Sequence, residues 1–134
     1  GVFTDAASYA TFLRNILSGK LAMRDALGLD KVCTNPSTCA TAVSSPITAE
    51  SWNYSLGHWV EDDPVVGDHA YSSAGAFGFY PWIDKTKTYY GIIARETHTQ
   101  SFEGFKSAEC GRLIRQAWVT GVPVTSATEP TPSP

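Results

Sequence analysis

"SSAGAFGFYPWID", Ser72 to Asp84, is the stretch on which the reading of the chain turns. It sets small-residue backbone (Ala74, Gly75, Ala76, Gly78) beside the rings of Phe77, Phe79, Tyr80 and Trp82. A core strand has no need of the glycines and a loop has no need of the rings. The stretch therefore reads as the edge of a site. Working outward, His69 to Ala74 and Gly78 to Ile83 predict two strands joined by a glycine-bearing bend. Asp84-Lys85-Thr86-Lys87 predicts a polar turn, and Tyr89 to Arg95 a further strand, which together make an antiparallel hairpin.

Upstream, Trp52, Tyr54, Leu56, His58 and Val60 alternate and predict one continuous strand, broken by the acidic run Glu61-Asp62-Asp63-Pro64, which reads as a solvated turn. His58 reads as a structural residue of that strand. Asp30 to Pro46 is small and polar with two prolines, and predicts a loop. Before it, Tyr9, Phe12, Leu13, Ile16 and Leu17 repeat at the spacing of a half-buried helix, capped by Thr4 and ended by Ser18-Gly19. Leu21 to Leu27 predicts a shorter helix closed by Gly28. Downstream, Ser101 opens a closing helix with Phe102, Phe105, Cys110, Leu113, Ile114 and Ala117 on one side and Gly121 at its end. Cys110 accordingly reads as a small core residue. The order of elements predicts an α+β class, an antiparallel sheet with helices packed against it, over residues 1–121. Residues 122–134 form a Ser/Thr/Pro-rich tail that cannot build a core.

At 134 residues the chain fits one domain, long enough to bury a core. A net charge of −3 without a basic run argues against nucleic-acid binding. No apolar run is long enough to span a bilayer. The sequence opens at Gly1-Val2-Phe3, which reads as a processed chain or a fragment. Cys33 and Cys39 bracket a short turn, "CTNPSTC", and predict a local disulfide and an oxidising, secreted or extracytoplasmic location. Zinc is disfavoured, since no second Cys or His pair stands at ligand spacing. Nothing calls for a cofactor. Asn53-Tyr54-Ser55 is a glycosylation sequon, relevant only in a eukaryotic secretory protein. Glu96 and His98 read as a satisfied surface pair at a strand end.

Several segments together resemble the C-terminal part of the serine β-lactamase-related hydrolases, the family of class C β-lactamases, D-Ala-D-Ala carboxypeptidases and esterases. "GVFTDAASYATFLRNILSGK" resembles the helix that follows the family's middle active-site motif. "YSLGHWVED" resembles its strand with Gly and Trp, and "SAGAFGFYPWID" with "YYGIIARE" resembles the active-site edge strand and the strands after it. The likeness runs from Gly1 to Gly121 in order and spacing. It implies a piece of the β-lactamase/transpeptidase-like fold and a serine acyl-transfer chemistry built on Ser-x-x-Lys, Tyr-x-Asn and Lys/His-x-Gly motifs. Only the last has a counterpart, Ser73-Ala74-Gly75, followed by Ala76 at the position whose backbone N–H helps form the oxyanion hole. The resemblance implies catalytic roles for Ser73 and the Ala76 N–H, and contact of an ester, amide or lactam with Ala74, Gly75, Phe77 and Tyr80. No serine here has Lys three residues on and none lies in G-x-S-x-G, so the implied partner is the N-terminal portion carrying Ser-x-x-Lys.

Ser73 also departs from the family, because a hydroxyl cannot supply the cation that holds a substrate carboxylate. An esterase or amidase with a less charged substrate fits better. His69, four residues upstream, could substitute, but a lone His beside a strand is more often structural or exposed. Two rivals stand beside this reading: a secreted binding module whose aromatic hairpin contacts a carbohydrate or protein, and a catalytically dead homologue that uses the same cleft.

Overall fold

Six short strands pair in chain order, each antiparallel to the one before it, so that the sheet is a simple meander. They are β1 (Val32–Cys33), β2 (Asn53–Ser55), β3 (His58–Val60), β4 (Tyr71–Ser72), β5 (Tyr80–Ile83) and β6 (Tyr90–Ile93). Three helices accompany them: α1 (Ala6–Leu17), α2 (Met23–Ala26) and α3 (Glu103–Thr120). This architecture comes from a computed structural model that describes residues 3–99 and 101–124. Most of the predicted tail lies outside those residues. The α+β class is as expected, with the helices divided between the two faces of the sheet.

That division follows from strand alternation. Tyr80 and Trp82 of β5 point to one face, where they pack with Trp52, Ile47 and Ala108 of α3. Ile83 points to the other, against Leu13 and Ile16 of α1 and Leu27 after α2. All four residues of β5 are buried, because both faces of the strand are covered. No helix among the described residues is long and apolar enough to cross a membrane.

The run from Trp52 to Val60 is two strands, not one. Leu56 and Gly57 form a tight turn, with Gly57 at φ +84° and its N–H donating to the Ser55 carbonyl, and Ser55 stands opposite His58. Alternation alone concealed this, since a two-residue turn keeps the period of 2 in register across the hairpin. The strands on either side of the glycine-bearing bend are also shorter than expected: β4 ends at Ser72 and β5 begins at Tyr80. Residues 32–33, expected in a loop, form β1 instead. The disulfide is as expected, with the Cys33 and Cys39 sulfurs 2.15 Å apart.

Helix α1 starts one residue later than Thr4 capping implies. Asp5 is its N-cap, accepting from the Ser8 N–H at 2.7 Å. Helix α3 departs further from expectation. Its buried residues are Glu103, Gly104, Ser107, Ala108, Gly111 and Arg115, whereas Ile114 and Cys110 are exposed. Cys110 is therefore not a core residue. The helix lies against the sheet through its small side chains: a methyl group on Gly104 would stand 2.5 Å from the Gly75 carbonyl oxygen, and one on Gly111 would clash with the Tyr80 ring. An apolar face of normal bulk would hold α3 too far out for Arg115 to reach Glu61 at 2.9 Å.

The acidic run is likewise not a solvated turn. Glu61 is 0% exposed and accepts hydrogen bonds from Arg115 and Tyr80. Asp62 holds Lys31 and the Asn53 amide, and Asp63 accepts the Ser51, Val65 and Val66 N–H groups. Burial pushes the Glu61 carboxyl up and the Arg115 guanidinium opposes that shift. A hydrogen-bonded pair is the form in which such charges are tolerated inside a protein.

Candidate functional site

Ser73 to Phe79 is a loop that joins β4 to β5, and β4 lies between β3 and β5. The expected active-site edge strand is thus an interior hairpin whose connecting loop projects past the end of β3. That loop is fixed by its own main chain. Ser73 N donates to the Pro81 carbonyl at 3.1 Å, Gly75 N to Phe79 at 2.9 Å and Gly78 N to Gly75 at 2.9 Å.

The first turn of α3 holds the loop from behind. Glu103 N donates to the Ala76 carbonyl at 3.0 Å, and the Ser107 hydroxyl to the Gly78 carbonyl at 2.7 Å. Gly104 presses on Gly75, backbone to backbone. Arg95, just after β6, ties the same elements together: its guanidinium donates to Ser107 at 2.8 Å, to the Glu103 carbonyl at 2.8 Å and to the Glu103 carboxylate at 3.1 Å. Hydrogen bonds from Ser101, Lys106 and Thr99 hold that carboxyl well below the usual range.

The glycines and the rings of the opening stretch therefore serve different neighbours. The glycines admit helix α3. The rings divide between interior and surface. Tyr80 is 0% exposed, its hydroxyl donating to Glu61 and accepting from Arg115, so it cannot touch a substrate, contrary to the sequence expectation. Ala74 is buried as well. Gly75 is half-buried, while Ser73 and Ala76 are exposed and Phe77 is 54% exposed.

Phe77 and Phe79 form one wall of an open groove of about 970 Å³, with Phe3, Tyr9, Phe12 and Ala94 around it. Tyr9 packs edge-on against both Phe79 and Phe12, with ring centroids 5.3 Å and 5.5 Å away. Burial raises the Tyr9 phenol, whose hydroxyl lies beside Ser73. Ser73 also lines a smaller cavity of about 160 Å³ under α1, which reaches Leu13, Ile16 and Tyr71.

Ala76 is the chemically notable member of the loop. Its carbonyl is taken by Glu103, and its N–H meets no acceptor among the described residues. An unpaired N–H in an exposed residue of a braced turn is a ready donor to a ligand oxygen. The structure thus brings Ser73, Gly75, Ala76 and Phe77 together and leaves Ala74 and Tyr80 behind them.

The histidines contribute little to this region. His69 is exposed at φ +63° before β4, on the far side of that strand from Ser73. His58 is buried and its Nε2 accepts the Gly28 N–H at 3.0 Å, a structural role. His98 pairs with Glu96 at 2.7 Å, both exposed, and its ring stands 4.8 Å from that of Phe77. Arg95, Glu103 and Asp5 were not singled out in the sequence. Ser101, expected to open α3, does not cap it: the N-cap is Phe102, and the Ser101 hydroxyl donates to the Glu103 carboxylate at 2.6 Å.

Elsewhere, a crevice of about 600 Å³ opens beside Asp68, Arg112 and Arg115. Both of its arginines are already engaged: Arg115 with Glu61 and Asp68, and Arg112 with Glu50. The Asn53 amide is occupied by Asp62, inside β2, which leaves the sequon poorly placed for modification. Among the described residues no group of three or more His, Cys, Asp or Glu side chains is placed to hold a metal ion. The chain matches no protein-family model, no curated protein and no solved structure.

Proposed function

We propose that this chain is the C-terminal part of a secreted serine hydrolase of the β-lactamase-related kind, and that it lends the backbone half of an oxyanion hole to a serine carried on other polypeptide. The observation that carries the proposal is the N–H of the exposed residue Ala76, without an acceptor among the described residues, on a loop braced by Glu103 and Gly104. In this scheme the serine attacks an ester or amide carbonyl and the carbonyl oxygen gains negative charge. The Ala76 N–H donates to that oxygen in the tetrahedral intermediate. Collapse expels the leaving group, and water then releases the acyl group from the serine. One such donor is worth on the order of 10²- to 10³-fold in kcat. Because Ala76 stands on a loop and not on a strand edge, the substrate approaches across the tip of the β4–β5 hairpin. The Ser73 hydroxyl offers a neutral hydrogen bond at the position where the family carries a cation.

The partner has a natural seat at β6, which among the described residues pairs only with β5. The Tyr89 carbonyl accepts from Asp84, so the Tyr89, Gly91 and Ile93 groups face β5 and those of Tyr90 and Ile92 face outward. An open edge of this kind accepts an added strand.

The test is labelling by a fluorophosphonate of the polypeptide that bears Ser-x-x-Lys, with this chain present and absent. Labelling should require the chain. Ala76→Pro, which removes the donor, should lower it about 10²- to 10³-fold, while Ala76→Gly keeps most of it. Equal labelling without the chain, or with Ala76→Pro, overturns the proposal.

A further inference from the structure

The groove beside Ala76 carries a charge pattern that bears on what it can hold. Its floor and walls are aromatic: Tyr9, Phe12, Phe77 and Phe79. The ionisable groups at its margins are Asp5, Glu96 and Arg95. Arg95 is the only cation among them, and its guanidinium is already engaged with Glu103, Ser107 and Thr97. Asp5 is exposed, and hydrogen bonds from Ser8 hold its carboxyl below the usual range, so it stays ionised. The same carboxylate caps α1 and cancels the attraction that a bare helix N-terminus would have for an anion. Glu96 is exposed beside His98. The apolar groove is therefore rimmed by negative charge, and its neighbour Ser73 supplies no positive one.

We propose that this groove binds an aromatic or alkyl substituent of an acyl substrate and discriminates by charge, accepting neutral groups and rejecting carboxylates. This rests on the hydrolase reading for the words "acyl substrate" and on nothing from it for the charge order. The occupant follows from complementarity: flat rings for an apolar body, and an anionic rim that repels a like charge. A peptide C-terminus or a carboxylated lactam would place its negative charge against Asp5 and Glu96. A neutral ester would not.

The charge order can be read on this chain alone. Three naphthalene probes of equal bulk, naphthylacetamide, naphthylacetate and naphthylmethylamine, are titrated into the protein at low salt and followed by NMR shifts of the Phe and Tyr rings. The amide and the amine should shift Tyr9, Phe77 and Phe79, and the acetate should bind about fivefold more weakly than the amide. About 1 M salt should erase most of that difference. Asp5→Asn with Glu96→Gln should bring the acetate to the affinity of the amide, since Asn caps a helix as well as Asp does. Phe77→Ala should weaken all three probes. Equal binding of acetate and amide, an order unchanged by the double variant, or shifts confined to other residues would each overturn the inference. If the charge order appears while fluorophosphonate labelling fails, the groove stands and the hydrolase reading falls. Labelling without the charge order has the opposite meaning.

Discussion

The two faces of the sheet are held by different physics. Helix α1 covers its face with Leu13 and Ile16, which meet Leu27 and Ile83 in an ordinary apolar cluster. Helix α3 covers the other with glycine, serine and alanine, and it drives an arginine into the interior to meet Glu61, Asp68 and the Tyr80 hydroxyl. The first arrangement tolerates approximate fit, because apolar contact is non-directional. The second depends on the position of each donor. Its directional contacts hold the Ser73–Phe79 loop in place, which is the reason to build that face so.

The contrast is sharpest at Arg115. Arg115→Met should cost about 3 kcal/mol, read as a lowered denaturant midpoint, because buried Glu61 loses its hydrogen-bonded cation at 2.9 Å and keeps only Arg112 at 3.7 Å. Adding Glu61→Leu to Arg115→Met should recover more than half of that loss, since removing both charges removes the desolvation penalty as well. A double variant no more stable than the single one would mean that the network is not the source of the cost. On the opposite face, Ile16→Ala should cost roughly 3 kcal/mol by loss of burial and by the cavity it leaves. No charge substitution there should restore it. If Ile16→Ala were silent, α1 would not be integral to the fold.

The same difference explains what could be read from the sequence. The residues that bury α1 recur at helical spacing, so apolar pattern alone located that helix, its end at Ser18-Gly19 and its core members Leu13 and Ile16. Pattern failed on α3, where the apolar residues Ile114 and Cys110 face outward and the buried side is Glu103, Gly104, Ser107, Gly111 and Arg115. Gly104 and Gly111 stand where glycine ordinarily weakens a helix. They are its contact surface. Glu61 looked like part of a hydrophilic turn for the same reason: its partner Arg115 is 54 residues away, and no local pattern announces a long-range ion pair. Of the candidate site, Gly75, Ala76 and Phe77 stand out in the sequence as small residues beside a ring, whereas Ser73 enters only through the family resemblance. The burial of Tyr80 was not, since it depends on which face of β5 the helix covers.

A smaller effect separates the two faces by pH. On the α1 side, burial holds the His58 imidazole below its ordinary value, because Nε2 must stay unprotonated to accept the Gly28 N–H. A group whose folded pKa is depressed adds stability that is complete above its unfolded value and is lost as the pH falls through it, here from about 6.5 downward. On the α3 side, Glu103 is held low by its hydrogen bonds, so its share persists until the carboxylate range and is lost below about 4.3. Glu61 opposes that trend: its raised pKa means that stability falls as the pH rises from the ordinary Glu value. Urea midpoints measured from about pH 7 to pH 3 should therefore decline in two limbs. His58→Asn should flatten only the upper limb and Glu103→Gln the lower, while Glu61→Gln should steepen the decline just above the ordinary Glu value. A single limb that His58→Asn leaves unchanged would show that the Gly28 hydrogen bond does not couple α2 to the sheet.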